Sequence, residues 1–302
     1  MRTDNQSAAH LALLQSTFDA KHRFCRGLIG RALESFGRPW AADFERTLES
    51  LLGDPATLAS AAKGYAAFAF DSMRRQKAFE SAREYPNKTY EQAAAEVYFN
   101  EKHMAEEYLP GLLLSHYLWP HHYRQIQFFD TAFLAAMALE ERPVFAEVGV
   151  GTGLYSRRIL ERLQHAQGAG YDISPSSCAF AARHIAAVGA SGRYDMRCQD
   201  ILAKPMEPTR WLICVEVLEH LEDPVSLLRA LKSSLAPGGR AFITAALNAA
   251  HADHIYLYRN AEEVWQHLDK AGFALEQSFV GAAYPPPAPG IPVPLAAAFV
   301  VS

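Results

Sequence analysis

The sequence predicts an α/β protein: a doubly wound, mostly parallel sheet of seven strands, preceded by an all-helical cap. Three observations predict it. Up to about residue 141 apolar residues recur at three- and four-residue steps, and no strand pattern appears. From residue 142 short apolar runs alternate with helical patterns, as in strand–helix–strand units covered on both faces. A glycine-rich turn, "AEVGVGTGLYSRRI" at 146–159, joins the first of those runs to the first of those helices. The expected division is 1–141 for the cap and 142–302 for the α/β domain.

In the cap, "AAHLALLQSTFDAKHRFCRGLIGRALESF" is amphipathic, and Gly37 and Pro39 end it. "ADFERTLESLLG" follows, with Gly53 expected at the C′ position. "DPATLASAAKGYAAFAFDSMRRQKAFESARE" opens with Asp54 as cap and Pro55 at the first helical position. The stretch from Thr89 to about 138 is mostly helical and punctuated by Pro110 and Pro120.

In the second half the strand runs are "PVFAEVG", "GAGYDIS", "RYDMRCQD", "RWLICVEV", "GRAFITAAL", "ALEQSFVG" and "LAAAFVVS". Helical patterns separate all but two pairs, "RYDMRCQD" with "RWLICVEV" and the last two runs. The last two are joined by "YPPPAPGIPVP", an extended loop because proline fixes φ and cannot donate to a ladder. These two strands should pair antiparallel at one edge.

The chain has 302 residues, half of them hydrophobic and 21% charged, with a net charge of −4. That is ample material for a core, and it argues against a dedicated nucleic-acid binder. Cys25, Cys178, Cys198 and Cys214 are scattered without a C-x-x-C pair, which suggests neither a zinc knuckle nor a disulfide framework. No apolar run is long enough to span a bilayer, and the polar opening "MRTDNQSAAH" lacks the order of a signal peptide. The expectation is a soluble cytoplasmic protein that binds neither membrane nor nucleic acid; a homodimer stays open.

Gly149, Gly151 and Gly153 alternate in the turn, where backbone can lie against a ligand and the next helix offers free N–H groups. A dinucleotide turn would read G-x-G-x-x-G; here Leu154 stands at the third glycine's place. Asp172 closes the second strand, where a carboxylate can accept both hydroxyls of a ribose. Ser174 caps the helix that follows. Asp200 closes the third strand and could accept from an exocyclic amine. Together these strand ends describe a ligand with an anionic tail, a ribose and a base.

"FAEVGVGTG", "GYDISPSSCAFAARH", "CQDIL", "ICVEVLEHLEDP" and "LLRALKSSLAPGGRAFIT" occur in one order and spacing that resembles the class I S-adenosylmethionine (SAM)-dependent methyltransferases of small-molecule type. The resemblance covers 142–302 and implies a Rossmann-like fold with its last strand inserted antiparallel. It implies that Glu147 and the turn glycines Gly149, Gly151 and Gly153 cradle the methionine part of SAM. Asp172 would hold the ribose, and Asp200 with the Ile201 backbone would meet the adenine. Glu216 and Val217 would wall the pocket near the sulfonium.

Methyl transfer from SAM is an in-line displacement that needs alignment, and a base where the acceptor carries a proton. Two segments supply histidines and tyrosines. "YFNEKHMAEEYLPGLLLSHYLWPHHY" carries Tyr98, His103, Tyr108, His116, Tyr117, Trp119, His121, His122 and Tyr123. "NAAHADHIYLY" carries His251, Asp253, His254, Tyr256 and Tyr258. The leading base is His254, followed by His122 and His220. Tyr98, Tyr108, Trp119 and Tyr256 are the expected substrate contacts. His121 and His122, being adjacent, should point about 100° apart and not serve one site together. Arg124 and Arg259 are the cations available for a carboxylate substrate.

The expected function is transfer of a methyl group from SAM to a small biosynthetic acceptor in a His/Tyr-lined pocket under the cap. One alternative is metal-assisted C-methylation of a small α-keto acid, with His251, Asp253 and His254 as ligands of iron, zinc or a similar ion. From another class stands a nucleotide-cofactor oxidoreductase, against which Leu154 counts. A non-catalytic scaffold would not need the glycines and Asp172 together. No N-P-P-Y-type motif follows the fourth strand, so methylation of a base or amide nitrogen by that route is not indicated.

Overall fold

A computed structural model describes residues 8–86 and 88–302. The opening segment read as lacking a signal peptide lies, for residues 1–7, outside the described residues. No described helix is long and apolar enough to cross a membrane.

The chain begins with helices α1 (Ala9–Lys21), α2 (Leu28–Leu52) and α3 (Pro55–Ala82). The break between α1 and α2 falls at residues 22–27, ahead of the expected Gly37–Pro39 stop. Gly37 instead kinks α2 from within, at φ 71° and ψ −165°, and the helix runs on through "ADFERTLESLL". Gly53 keeps right-handed backbone at φ −62°, so it is not the left-handed C′ residue expected. The stop comes from the next cap: Asp54 accepts from the Thr57 N–H, with Pro55 opening α3.

Next come α4 (Tyr90–Glu96), opened by a Thr89–Gln92 capping box, and α5 (Glu101–His103). A π-helical segment, Met104–Tyr108, leads into α6 (Leu109–Leu118). Pro110 therefore does not end a helix. It sits inside a continuous helical run, just after the π-helical turn that absorbs its missing N–H. Pro120 opens α7 (Pro120–Phe128), which continues through a second π-helical segment, Phe129–Leu134, into α8 (Ala135–Met137).

The sheet holds β1 (Val144–Val148), β2 (Gln167–Asp172), β3 (Tyr194–Cys198), β4 (Thr209–Cys214), β5 (Leu235–Leu247), β6 (Leu275–Ala282) and β7 (Leu295–Val301). Their order is β3-β2-β1-β4-β5-β7-β6, with the first five parallel and β7 antiparallel to both neighbours. All seven expected strands are present. The final pair sits at the edge as an antiparallel hairpin, with β7 inserted beside β5.

Helices α9 (Leu154–Arg162), α10 (Pro175–Ala186), α11 (Pro224–Ser233) and α12 (Ala261–Lys270) cover the sheet. One face packs on α11 and α12 through Leu212, Ile243, Leu228 and Leu268. The other joins the N-terminal helices in one continuous apolar cluster, from Phe18 and Trp40 through Phe129 and Phe133 to Phe145, Trp211 and Phe242. Arg158 of α9 pins this seam: it donates to Asp43 of α2 and to both carboxylate oxygens of Asp130, each at 2.6 Å.

Candidate active site

The strand order reverses between β1 and β4, where an open α/β sheet leaves a crevice at its carboxyl ends. A cavity of about 730 Å³ lies there and continues under the N-terminal helices. Glu147, Gly149, Gly151, Asp172, Asp200, Ile201, Glu216 and Val217 all line it. Gly153 does not. It is the αL N-cap of α9 at φ 72°, and a Cβ there would stand 3.0 Å from the Ala181 side chain. Its absent side chain serves helix–helix packing and the turn rather than ligand contact.

Asp172 is tied to the turn it faces. One carboxylate oxygen accepts from the Gly151 N–H and the other from the Ser174 N–H, both at 2.9 Å. Burial raises its pKa, and those N–H groups oppose the rise. Glu147 is fully enclosed and accepts from the Ser156 N–H at 2.9 Å and from the Ser156 hydroxyl. Burial pushes it up to about 8. Glu216 has the left-handed φ of 52° and accepts from the Thr244 hydroxyl at 2.7 Å; burial pushes it up to about 7. Both raised carboxyls thus line one cleft. Asp200 lies two residues beyond the end of β3, exposed, and turns its own loop by accepting from the Leu202 N–H.

At the other end of the cavity Tyr98, Tyr108, Trp119, His122, His220 and His254 meet. The loop after β5 is held from both sides, by the helical region and by Glu219 in the loop after β4, whose carbonyl accepts from the Ile255 and Tyr256 N–H groups. Gln76 of α3 donates to the Asn248 carbonyl and accepts from the Ala250 N–H, both at 3.0 Å. Asp253, 1% exposed, accepts from the hydroxyls of Tyr98 at 2.9 Å and Tyr108 at 2.8 Å. His220, His254 and His251 hold its carboxyl well below the usual range, against the cost of burial. The Tyr98 hydroxyl also lies 2.6 Å from His220 Nδ1. His254 places Nδ1 2.7 Å from the Ala249 carbonyl oxygen, so this nitrogen carries the proton and Nε2 keeps a lone pair.

Several expectations change here. Tyr256 does not line the cavity: its ring packs on Tyr258 and His267 behind the loop. His121 and His122 do share one site, with ring centroids 4.3 Å apart, because they sit in the first turn of α7 where the helix end abuts the cavity. Arg124 and Arg259 are exposed and off the cavity. The proposed ligand trio is not what converges. Asp253 is occupied by the two tyrosines, and the atoms within 4.8 Å of one another belong to Glu219, His220 and His254. Glu219 was missed, though "EVLEH" at a strand end puts Glu216 and Glu219 one turn apart. Phe24, Phe68 and Gln76 also line the cavity. No signal marked them, since an apolar stripe on a helix reads equally as core.

Residues 146–241 match the model of a methyltransferase domain family. The ubiquinone biosynthesis O-methyltransferase of Xylella fastidiosa (strain 9a5c) is 30% identical over 125 residues, 41% of this chain and 50% of that one. Its counterpart in Xanthomonas euvesicatoria pv. vesicatoria (strain 85-10) is 32% identical over 125 residues, 41% of this chain and 51% of that one. The chain thus spans about half the length of the curated relatives it matches. Two solved structures share the fold over more of the chain. Human N-acetylserotonin methyltransferase in complex with SAM superposes with a TM-score of 0.55 at 15% identity, over 79% of this chain and 69% of that one. The mitomycin 7-O-methyltransferase MmcR gives 0.54 at 16%, over 83% and 74%. The strand order, the glycine turn and the matched segment agree: residues 146–241 form a methyltransferase domain, and the fold around them is that of SAM-dependent methyltransferases.

Proposed function

We propose that the protein transfers a methyl group from SAM to the hydroxyl of a small, uncharged, aromatic acceptor held under the helical region. Residues 142–302 supply the cofactor half and 1–141 the lid and acceptor half. The observation that carries this reading is the single cavity, which runs from the glycine turn to a wall of Phe68, Tyr108, Trp119, His122 and His254 without one lysine or arginine among its lining residues. Such a lining favours a neutral ring over a carboxylate, so an α-keto acid is disfavoured. The relatives' O-methyltransferase names point the same way.

In this reading Asp172 takes the ribose hydroxyls and Glu147 the amino end of SAM. Glu216 adds negative potential beside the sulfonium. His254 Nε2, unprotonated because burial holds its pKa well below the usual value, removes the acceptor proton as the oxygen attacks the methyl carbon in line. His220, bonded through Tyr98 to Asp253, is the neighbouring alternative. His122, whose Nδ1 lies 3.2 Å from the Ser115 hydroxyl, faces the ring.

Calorimetry with S-adenosylhomocysteine, then methylation of a panel with labelled SAM, tests the reading. The panel holds catechol, other phenols, phenylpyruvate, an amine, a bulk protein and a tRNA. Labelled methyl on phenols, and loss of cofactor affinity in Asp172→Ala, are expected. Transfer confined to phenylpyruvate, protein or tRNA, or unchanged affinity in Asp172→Ala, refutes it.

A second reading rests on Glu219. Both its oxygens are buried without a hydrogen-bond partner, beside His220 and His254. A divalent cation with mixed nitrogen and oxygen preference would satisfy the three together and could polarise the acceptor oxygen. Metal analysis of protein purified without chelators decides it: one zinc, iron or manganese per chain, lost in Glu219→Gln, is expected, and sub-stoichiometric metal removes the reading.

A further inference from the structure

Two of the four cysteines meet at the strand tip that carries Asp172. Cys198 ends β3 and is the register partner of Asp172 in the parallel β2–β3 ladder. Cys178 lies in the first turn of α10, the helix that Ser174 caps directly after β2. Its sulfur sits 3.7 Å from the Asp172 carbonyl oxygen, and that of Cys198 sits 3.8 Å from the Ile173 carbonyl oxygen. The two sulfurs thus lie beside consecutive carbonyls of one strand tip, close enough that Cys198 bears on the ionisation of Cys178. Cys198 is exposed and Cys178 half-buried, whereas Cys25 and Cys214 are buried.

We propose that Cys178 and Cys198 form an oxidation-sensitive dithiol, a modification site whose disulfide weakens cofactor binding by displacing Asp172. The inference rests on Asp172 holding the cofactor ribose.

The oxidant is a peroxide. The Cys198 thiolate attacks one peroxide oxygen, the O–O bond breaks, and a sulfenic acid and one water form. The Cys178 sulfur then attacks the Cys198 sulfur and the S–O bond breaks. The Cys178 proton leaves with that hydroxyl as a second water, and the S–S bond closes. Two thiols lose two electrons to one peroxide. The division of labour follows from the surroundings: exposed Cys198 meets the oxidant first, while burial pushes the Cys178 thiol up, so it reacts only second and gives its proton to the departing hydroxyl as it attacks.

Closing the bond brings the sulfurs to roughly 2 Å of each other. The first turn of α10 and the end of β3 must move together across Asp172–Ile173. Asp172 is aimed by N–H groups of Gly151 and Ser174, and Ser174 starts the helix that moves. The carboxylate cannot keep both partners and its place against the turn.

The test treats the full chain with a few equivalents of hydrogen peroxide, maps thiols by alkylation and mass spectrometry, and measures S-adenosylhomocysteine affinity by calorimetry. The expected result is a loss of two hydrogens confined to the peptides of Cys178 and Cys198. Affinity should fall about tenfold and recover on reduction. Cys198→Ser should bind like the reduced protein and resist peroxide. Absence of that cross-link, an unchanged affinity in cross-linked protein, or a Cys198→Ser protein as peroxide-sensitive as the parent overturns the proposal. If the reduced parent does not bind S-adenosylhomocysteine, the cofactor reading has failed and the affinity half of the proposal fails with it, while the cross-link is still read by mass.

Discussion

Gly149 and Val217 touch across the mouth of the crevice at the strand ends. A Cβ on Gly149 would fall within the van der Waals shell of Val217 Cγ2, and Gly149 also holds a left-handed φ of 69°. The tip of β1 and the loop after β4 are therefore fitted to each other at a position where only glycine is accommodated.

Gly149→Ala should lose stability by about 1–2 kcal/mol from the left-handed backbone alone, and more from the clash. S-adenosylhomocysteine affinity should fall by at least tenfold. Adding Val217→Ala removes the clash and leaves the φ penalty. The double variant should recover part of the thermal stability in a melting experiment. No recovery would show that backbone strain, not the side-chain contact, sets the requirement.

Glu147 gives a pH-dependent prediction. Its folded pKa of about 8 stands above the usual 4.5, so between those values the unfolded chain releases a proton that the folded chain keeps. The free protein should lose stability on this account as pH rises from about 4.5 to about 8. Glu147→Gln keeps an acceptor for Ser156 and removes the ionisation. It should be more stable than the parent at pH 8 by on the order of 2 kcal/mol, with little gain at pH 5. It should also bind S-adenosylhomocysteine more weakly. Urea titrations at the two pH values decide it; an equal effect at both rejects the burial argument.

Arg158 ties the helical region to α9, with Asp43 and Asp130 as its anions among the described residues. Removing the guanidinium leaves Asp43 with Arg46 and Asp130 with Arg162 as remaining cations, so Arg158→Met should cost about 1.5–3 kcal/mol in urea unfolding. Arg158→Lys cannot span both acids and should fall in between. If Arg158→Met unfolds within 1 kcal/mol of the parent, the seam is held by apolar packing alone.

The sheet was legible because each strand is a short apolar run bounded by turn residues, and the strand-tip acid Asp172 follows from where such runs end. Local signals also carried Asp54, Pro55 and Ser174. What was not legible depends on distances through space. Tyr256 looked like its neighbours in sequence, yet the loop turns it behind the site. His121 and His122 were separated by helical geometry, yet the end of α7 brings both rings to one wall. Gly153 looked like a ligand-cradling glycine, yet α10 is what needs its missing side chain. Cys178 and Cys198 stand twenty residues apart without a motif, and only the β2–β3 register brings them together.

His254 is the sharpest test of the proposed chemistry. Its Nδ1 proton goes to the Ala249 carbonyl, and that carbonyl is fixed by the Tyr85 hydroxyl at 2.5 Å, so Nε2 is aimed by a frame outside the ring. Truncation removes the base but not the walls. His254→Ala should lose about 10²–10⁴ in kcat on whichever phenol of the panel is methylated, with KM and S-adenosylhomocysteine affinity within a few-fold of the parent. His122→Ala should do the opposite, raising KM with a small effect on kcat, if that ring packs on the acceptor as proposed without taking its proton. His220→Ala separates the two candidate bases: a smaller kcat loss than in His254→Ala keeps His254 in the role, and a larger one transfers the role to His220.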